Sequence, residues 1–185
     1  HLIHSVVWPM RDRISTDAFR VLQSTDALVA GLDGARRDPL DDVVVHALDV
    51  LDRMVTGFLA FGGVVADAMT RGQGWRFLEV GLRLERGVAM ARLCRAAAAN
   101  ESPHEAVLLE TLLEVADSSL TYRRRYLTQL QAPAVLDLLL ADESNPRSAA
   151  FNVAAVEAHL AQLPHDPTHP QRSPDLAVVS RVRAL

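Results

Sequence analysis

Apolar positions in this chain recur every three to four residues, the spacing of one helix face, and no stretch alternates convincingly as a strand would. Ser15 or Thr16 can cap a first helix through "DAFRVLQSTDALVAGL", which ends near Gly31 and Gly34, with "GARRDP" as a linker. Beyond Pro39 a long segment carries Val44, Leu48, Leu51, Val55, Phe58 and Leu59 at helical spacing. Gly57, Gly62 and Gly63 interrupt it at roughly 1 kcal/mol each against Ala, a cost that close contact with a neighbouring helix usually offsets. A third helix runs from about Gly74 to Ala99. A fourth starts with Ser102 as cap, Pro103 at the first helical position and Glu105 in a capping-box place, and continues to about Thr128. Pro133 opens a short helix, "AVLDLLL". Asn145 and Pro146 start another that carries Phe151, Val156, Leu160 and Leu163. "PHDPTHPQRSP" is a Pro-rich loop, and the tail from Asp175 is a weaker helix. The pattern predicts an all-α fold, an antiparallel bundle of about five to seven helices, with residues 1–163 as the domain and 164–185 as loop and tail.

Projected at about 100° per residue, the 74–99 helix holds one anomaly. Leu78, Gly81, Leu82, Val88 and Ala89 share a side, widened by Phe77, Leu84, Ala91, Trp75 and Leu93, and Glu85 lies near the centre of that arc. An unpaired carboxylate there costs several kcal/mol. Glu85 is therefore expected to pair with an Arg, to accept several hydrogen bonds, or to stay protonated. A structural ion pair and a functional carboxylate in a crevice both satisfy that condition. Arg76, Glu79, Arg83 and Arg86 gather on the opposite side and read as a solvated face, with Glu79 and Arg83 as an i, i+4 pair. On the 103–128 helix, Leu109, Leu112, Leu113, Ala116 and Leu120 form the apolar face, and Glu110, Glu114, Asp117, Thr121 and Arg125 run down a polar stripe. That stripe is either solvated or, with Arg123 and Arg124 beside it, the wall of a crevice for a zwitterionic or anionic ligand.

Composition narrows the chemistry. A net charge of −4 gives no grip on phosphate, so neither nucleic acid nor an anionic membrane is an expected partner. All 19 basic residues are Arg, which excludes a Schiff-base or P-loop lysine and favours planar pairing with carboxylates. Cys94 is the sole cysteine, in keeping with a reducing cytoplasm, and no apolar run reaches the roughly 18 residues of a membrane span. His165 and His169 sit in the Pro-rich loop without a third ligand, and no Glu-x-x-His pair accompanies the carboxylates, so no metal or other cofactor is expected. No nucleophile elbow, phosphate-cradling loop or dinucleotide fingerprint is present. The chain opens on His1 where a start Met would stand, which reads as a fragment or a processed chain.

The stretches "RDRIST" (11–16), "MTRGQGWRFLEVGLRLERG" (69–87), "LLEVADSSLTYRRRY" (112–126) and "AVLDLLLADESNPRSAAF" (134–151) resemble, in order and spacing, the bacterial alpha-E domain family. This is an α-helical module named for a Glu-Arg signature, and the signature falls on Glu85 and Arg86. The resemblance covers most of the chain from Arg11 to Leu163. It implies a companion of circularly permuted ATP-grasp proteins, encoded beside them or fused to their C-terminal end. In such proteins the neighbouring genes often specify transglutaminase-like peptidases and sometimes a proteasome-like peptidase. That association implies a system that makes, attaches or trims short peptides. The family's usual earlier helix with a first Glu-Arg signature is not found in this chain.

These readings lead to a helical accessory or interaction module of an ATP-grasp-type peptide ligase system. The partners expected are a circularly permuted ATP-grasp protein, fused or separate, a peptide substrate and further copies of the chain. The binding residues expected are Glu85, Arg86, Asp117, Tyr122 and Arg125 in a crevice between two helices. Arg125 would hold a carboxylate, and Glu85 or Asp117 an amino group or an Arg. Arg147 stands at a helix start, where anions are favoured. Two alternatives fit the same residues: an enzyme with Glu85 as general acid or base on amide bonds, and a purely structural assembly module.

Overall fold

The computed structural model describes residues 2–32, 40–99, 104–126, 129–164 and 173–184. Among them the fold is all-α: nine α-helices, a 3₁₀ turn and one π-helical turn. The count exceeds five to seven because a short N-terminal helix is added and one expected helix is broken in two. The described residues form two compact units, His1–Arg71 and Gly72–Leu185.

The first unit contains α1 (Leu2–Val7), a 3₁₀ turn (Trp8–Arg13), α2 (Thr16–Leu32) and α3 (Leu40–Ala68). Ser15 is the residue that caps α2, its Oγ accepting from the Ala18 N–H at 3.2 Å. Trp8 anchors the entry, with the Phe19 ring 6.0 Å away and the Arg11 guanidinium 4.9 Å over its face. α2 and α3 pack through a thin core of Ala18, Thr25, Val50 and Val65. At Gly57 the helices come so close that a Cβ would stand 2.7 Å from Thr25 Oγ1, itself hydrogen-bonded to Val21 O at 2.9 Å. Gly62 and Gly63 meet no described neighbour within 4 Å, so close packing explains one glycine of the three. α3 turns Val50 and Gly57 toward α2. The periodic stripe of Leu48, Leu51, Val55, Phe58 and Leu59 stays 47–71% exposed.

The second unit runs α4 (Gln73–Ala98), α5 (Glu105–Val115), α6 (Ser119–Tyr126), α7 (Ala132–Leu136), the π-helical turn (Asp137–Ala141), α8 (Ala149–Leu160) and α9 (Pro174–Arg183). Its core joins Met90 and Cys94 of α4 to Leu109, Leu112 and Leu113 of α5, Tyr122 of α6, and Val135, Leu138 and Leu139. Leu138 and Leu139 have no solvent exposure, and each contributes about 1.5–3 kcal/mol by burial. α4 and α8 lie antiparallel, since Trp75 near the start of α4 meets His159 near the end of α8, ring centroids 5.0 Å apart. Further along α4, the backbone at Gly87 passes Ala149 and Asn152 in the first turn of α8. α9 lies on α8.

The helix expected over 103–128 breaks at Asp117. The Ser118 N–H bonds to Leu113 O and the Asp117 N–H to Glu114 O, both at 2.9 Å, a Schellman ending with Asp117 left-handed at φ 49°. Asp tolerates that region better than most residues, and Ser118 then precedes α6. The polar stripe from Glu110 to Arg125 is therefore not continuous. Ser102 and Pro103 lie outside the described residues.

Candidate functional site

α4 is rotated relative to the face its periodicity suggested. Gly87, Met90 and Cys94 are buried, while Phe77, Leu82, Leu84, Val88 and Glu85 are exposed. Glu85 makes no hydrogen bond or ion pair with any described residue, so the expected burial and partner are both missing. The reason is compositional: Ala, Leu and Gly surround α4 on nearly every side, leaving no dominant apolar arc to fix its rotation. The supposed solvated face is correspondingly turned inward at Glu79 and Arg83, whose side chains are 17% and 20% exposed. Arg83 Nε donates to Glu79 Oε2 at 3.1 Å, and its guanidinium lies 5.5 Å over the Phe151 ring of α8. Neither terminal nitrogen of Arg83 has an acceptor among the described residues. One turn on, Arg86 has no acidic partner within ion-pair distance among those residues. Partial burial, followed by the charges of Arg83 and Arg147, pulls its pKa below the usual value, with Glu79 pushing the other way. The guanidinium stays charged regardless.

The loop between the π turn and α8 does the positioning. Buried Asn145 donates from Nδ2 to Leu138 O (3.1 Å) and Ser118 Oγ (3.4 Å), and its Oδ1 accepts from the Arg147 N–H at 3.1 Å. Asn145 is thus a cross-link between segments, and the helix cap expected of it is supplied instead by Ser148. Ser148 Oγ accepts from the Phe151 N–H at 3.0 Å and donates to Asp142 O at 2.6 Å. Asn152 Nδ2 closes the turn on Pro146 O and Ser148 O. So held, Arg147 reaches Asp117 Oδ2 at 2.6 Å.

Arg125 is engaged elsewhere, bonded to Asp142 Oδ2 and, at 3.1 Å, to Ser144 Oγ. The bond to Asp142 raises its pKa. Burial pushes the Asp142 carboxyl up, but the Ser144 bonds and Arg125 outweigh it and hold the group below the usual carboxylate range. Tyr122 is buried, its hydroxyl donating to Gln129 O at 3.3 Å and accepting from the Gln131 N–H at 3.2 Å. Of the six residues singled out from the sequence, Arg147 and Asp117 are brought into contact, and Arg86 stands near enough to feel the charge of Arg147. Arg125 and Tyr122 are committed to structural bonds, and Glu85 stands apart. Glu79, Arg83 and Asp142 were missed as members of the site. The i, i+4 spacing of Glu79 and Arg83 was visible, but their inward direction was not.

Beside Arg83 an apolar groove of about 330 Å³ opens between α4, α8 and α9, lined by Leu84, Gly87, Val88, Val153, Val178 and Val182 among others. Among the described residues Arg83 is the one charged residue lining it, and the lining surface is almost wholly apolar, so Arg83 contributes its hydrocarbon stem. α9, which forms one wall, is fastened by Arg183: Nε and Nη2 bond Glu143 at 3.0 Å each and Nη1 bonds Glu157 at 2.7 Å. Ser180 Oγ adds a 2.5 Å bond to Glu157 Oε1. Among the described residues no three His, Cys, Asp or Glu groups gather to hold a metal ion, and no helix is long and apolar enough to cross a membrane. His165 and His169 lie outside the described residues.

The model of the Alpha-E family, "a predicted alpha-helical domain with a conserved ER motif", matches residues 2–185. An uncharacterised protein of Mycobacterium bovis is 29% identical over 157 residues, which is 84% of this chain and 18% of that protein. Uncharacterised proteins of two Mycobacterium tuberculosis strains match with the same identity and coverage. The chain therefore spans less than a fifth of the length of the curated relatives it matches. No solved structure matches it significantly.

Proposed function

The chain belongs to the Alpha-E family, and from that premise we propose that it serves as a cytoplasmic helical accessory and interaction module of an ATP-grasp-type peptide ligase system. One observation carries the interaction role: five large apolar side chains of α3 (Leu48, Leu51, Val55, Phe58 and Leu59) stand in a helical row, each 47–71% exposed. A contiguous row of that size on a polar-flanked helix is the mark of a protein-binding surface. The ATP-grasp protein, fused or separate, is the partner this reading assigns to it. Arg86 and Arg147 supply the cationic part of a peptide site, and the pairing of Arg125 with Asp142 removes it from that role. The catalytic alternative depended on a buried Glu85, and an exposed one gives it no support.

Co-expression with the neighbouring or fused ATP-grasp polypeptide tests this reading. The chain should co-purify with it, and the double change Leu51→Glu and Leu59→Glu should abolish co-purification while leaving helix content unchanged. Absence of co-purification, or its persistence in the double variant, overturns the proposal.

A further inference from the structure

We infer that the exposed row on α3 seats one amphipathic helix of the partner, basic along one edge and crossing close to the α3 backbone at Gly62 and Gly63. This deepens the interaction reading above and rests on it for the ATP-grasp protein as the owner of that helix.

The row is continuous. Val44, Leu48, Leu51, Val55, Phe58 and Leu59 are 47–71% exposed, and Gly62 carries the same line on, four residues past Phe58 and three past Leu59. From Val44 to Gly62 it runs about five turns, or about 27 Å. Apolar side chains at that spacing are matched by the side-chain ridge of a second helix.

The glycines mark how near that helix comes. A Gly in a helix interior lowers stability against Ala, and close contact with α2 accounts for the choice at Gly57. At Gly62 and Gly63 an added Cβ would meet nothing within 4 Å, so no described neighbour accounts for them. Together they open a notch in which another backbone can approach α3.

Charge selects the partner. One edge of the row adjoins α2, through Val50 and Gly57. The other edge carries Asp52, one turn from Leu48 and Val55, with Asp49 and Asp67 further round the same side. Asp52 and Asp67 are exposed and form no ion pair with any described residue, and Asp49 meets Arg53 at 3.7 Å. Along its length α3 holds five Asp, one Arg and no Lys, which with His neutral is the same net −4 as the whole chain. Two copies face to face would set one acidic α3 against another, which like charges oppose. A helix with Arg or Lys beside its apolar stripe complements that edge instead.

The test is fluorescence anisotropy of the full chain with a labelled helical peptide of about 20 residues that has Leu every three to four residues and Arg along one edge. A twin peptide carries Glu for each Arg. The Arg peptide should bind about tenfold more tightly than its twin, and Asp52→Arg with Asp67→Arg should erase that preference. Leu51→Asn with Leu59→Asn, which leaves the charge alone, should abolish binding. Gly62→Leu lengthens the apolar row, so a helix held by apolar surface alone would bind it more tightly. One seated in the notch should bind it about tenfold more weakly. Far-UV circular dichroism checks that each variant keeps its helix content, and the comparison of the two peptides on the parent chain needs no variant. Equal affinity for the two peptides, no binding of either at millimolar concentration, binding that survives the Asn pair, tighter binding by Gly62→Leu, or a dimer of the chain that the Asn pair disperses each overturns the inference. ATP-grasp co-purification undiminished by Asp52→Arg with Asp67→Arg sinks this inference alone. The expected peptide results without co-purification sink the partner assignment alone.

Discussion

Replacing Asn145 by Ala tests whether the loop before α8 is held by one buried amide. Asn145 is 4% exposed, and its side chain links three segments: the π turn through Leu138 O, the turn between α5 and α6 through Ser118 Oγ, and the loop itself through the Arg147 N–H. Ala removes all three bonds. A net hydrogen bond is worth about 1 kcal/mol, and a buried partner left unsatisfied costs about 1–3 kcal/mol. Leu138 has no solvent exposure and Ser118 none, so water cannot easily replace the amide. The loss should be about 3 kcal/mol, on the order of 10 °C in the melting of a unit this size. Urea denaturation followed by far-UV circular dichroism measures it as a fall in midpoint at constant slope. Arg147→Ala is the matched control. It deletes an ion pair whose side chains are 48% and 77% exposed but keeps the backbone N–H that Asn145 accepts, so it should cost under about 1 kcal/mol. An Asn145→Ala variant within about 0.5 kcal/mol of the parent, or an equal loss from Arg147→Ala, would refute the reasoning.

Two glycines should respond oppositely to a methyl group. Gly57→Ala drives a Cβ to 2.7 Å from Thr25 Oγ1 and should lose about 1–2 kcal/mol, whereas Gly87→Ala meets Asn152 Cβ at an ordinary 3.5 Å and should gain up to about 1 kcal/mol, both read by urea melts. Asp117→Gly relieves a left-handed backbone worth about 1 kcal/mol and gives up an exposed ion pair worth about 0–1 kcal/mol, so its urea midpoint should hold or rise. Asp142 has a folded pKa below its unfolded one, so its contribution is complete above about pH 4 and is lost as pH falls through the folded value. Asp142→Asn should therefore be less stable than the parent at neutral pH, with the gap closing in acid. A gap that stays constant from pH 7 to pH 2 would contradict this.

The helices were legible in the sequence because their caps and periods are local. α2, α3, α4 and α8 lie near their expected places, and the all-α class follows from them. Rotation was less legible. On α4 the Ala- and Leu-rich composition offers several apolar arcs, and contact with α8 selects the one through Gly87, Met90 and Cys94. The break at Asp117 had a faint signal in the consecutive Asp117, Ser118 and Ser119, which suit a turn as well as a helix surface. The long-range pairs had none. Nothing in the spacing says that Arg125 meets Asp142, or that Arg183 meets Glu143, because those partners are set by packing after the helices form.

The fastening of α9 has a practical corollary for handling the protein. Arg183 keeps its proton at any accessible pH, with its pKa raised by the bonds to Glu143 and then Glu157. Mild changes in acidity around neutrality therefore leave this clasp alone, but dissolved ions reach it, since its side chain is 42% exposed. Raising salt from 0.1 M to 1 M shrinks the screening length from about 10 Å to about 3 Å. The C-terminal helix should then slacken while the antiparallel pair of α4 and α8, held by buried aliphatic contact, keeps its grip. Salt concentration is accordingly the variable to hold fixed when α9 is compared between crystals and dilute buffer.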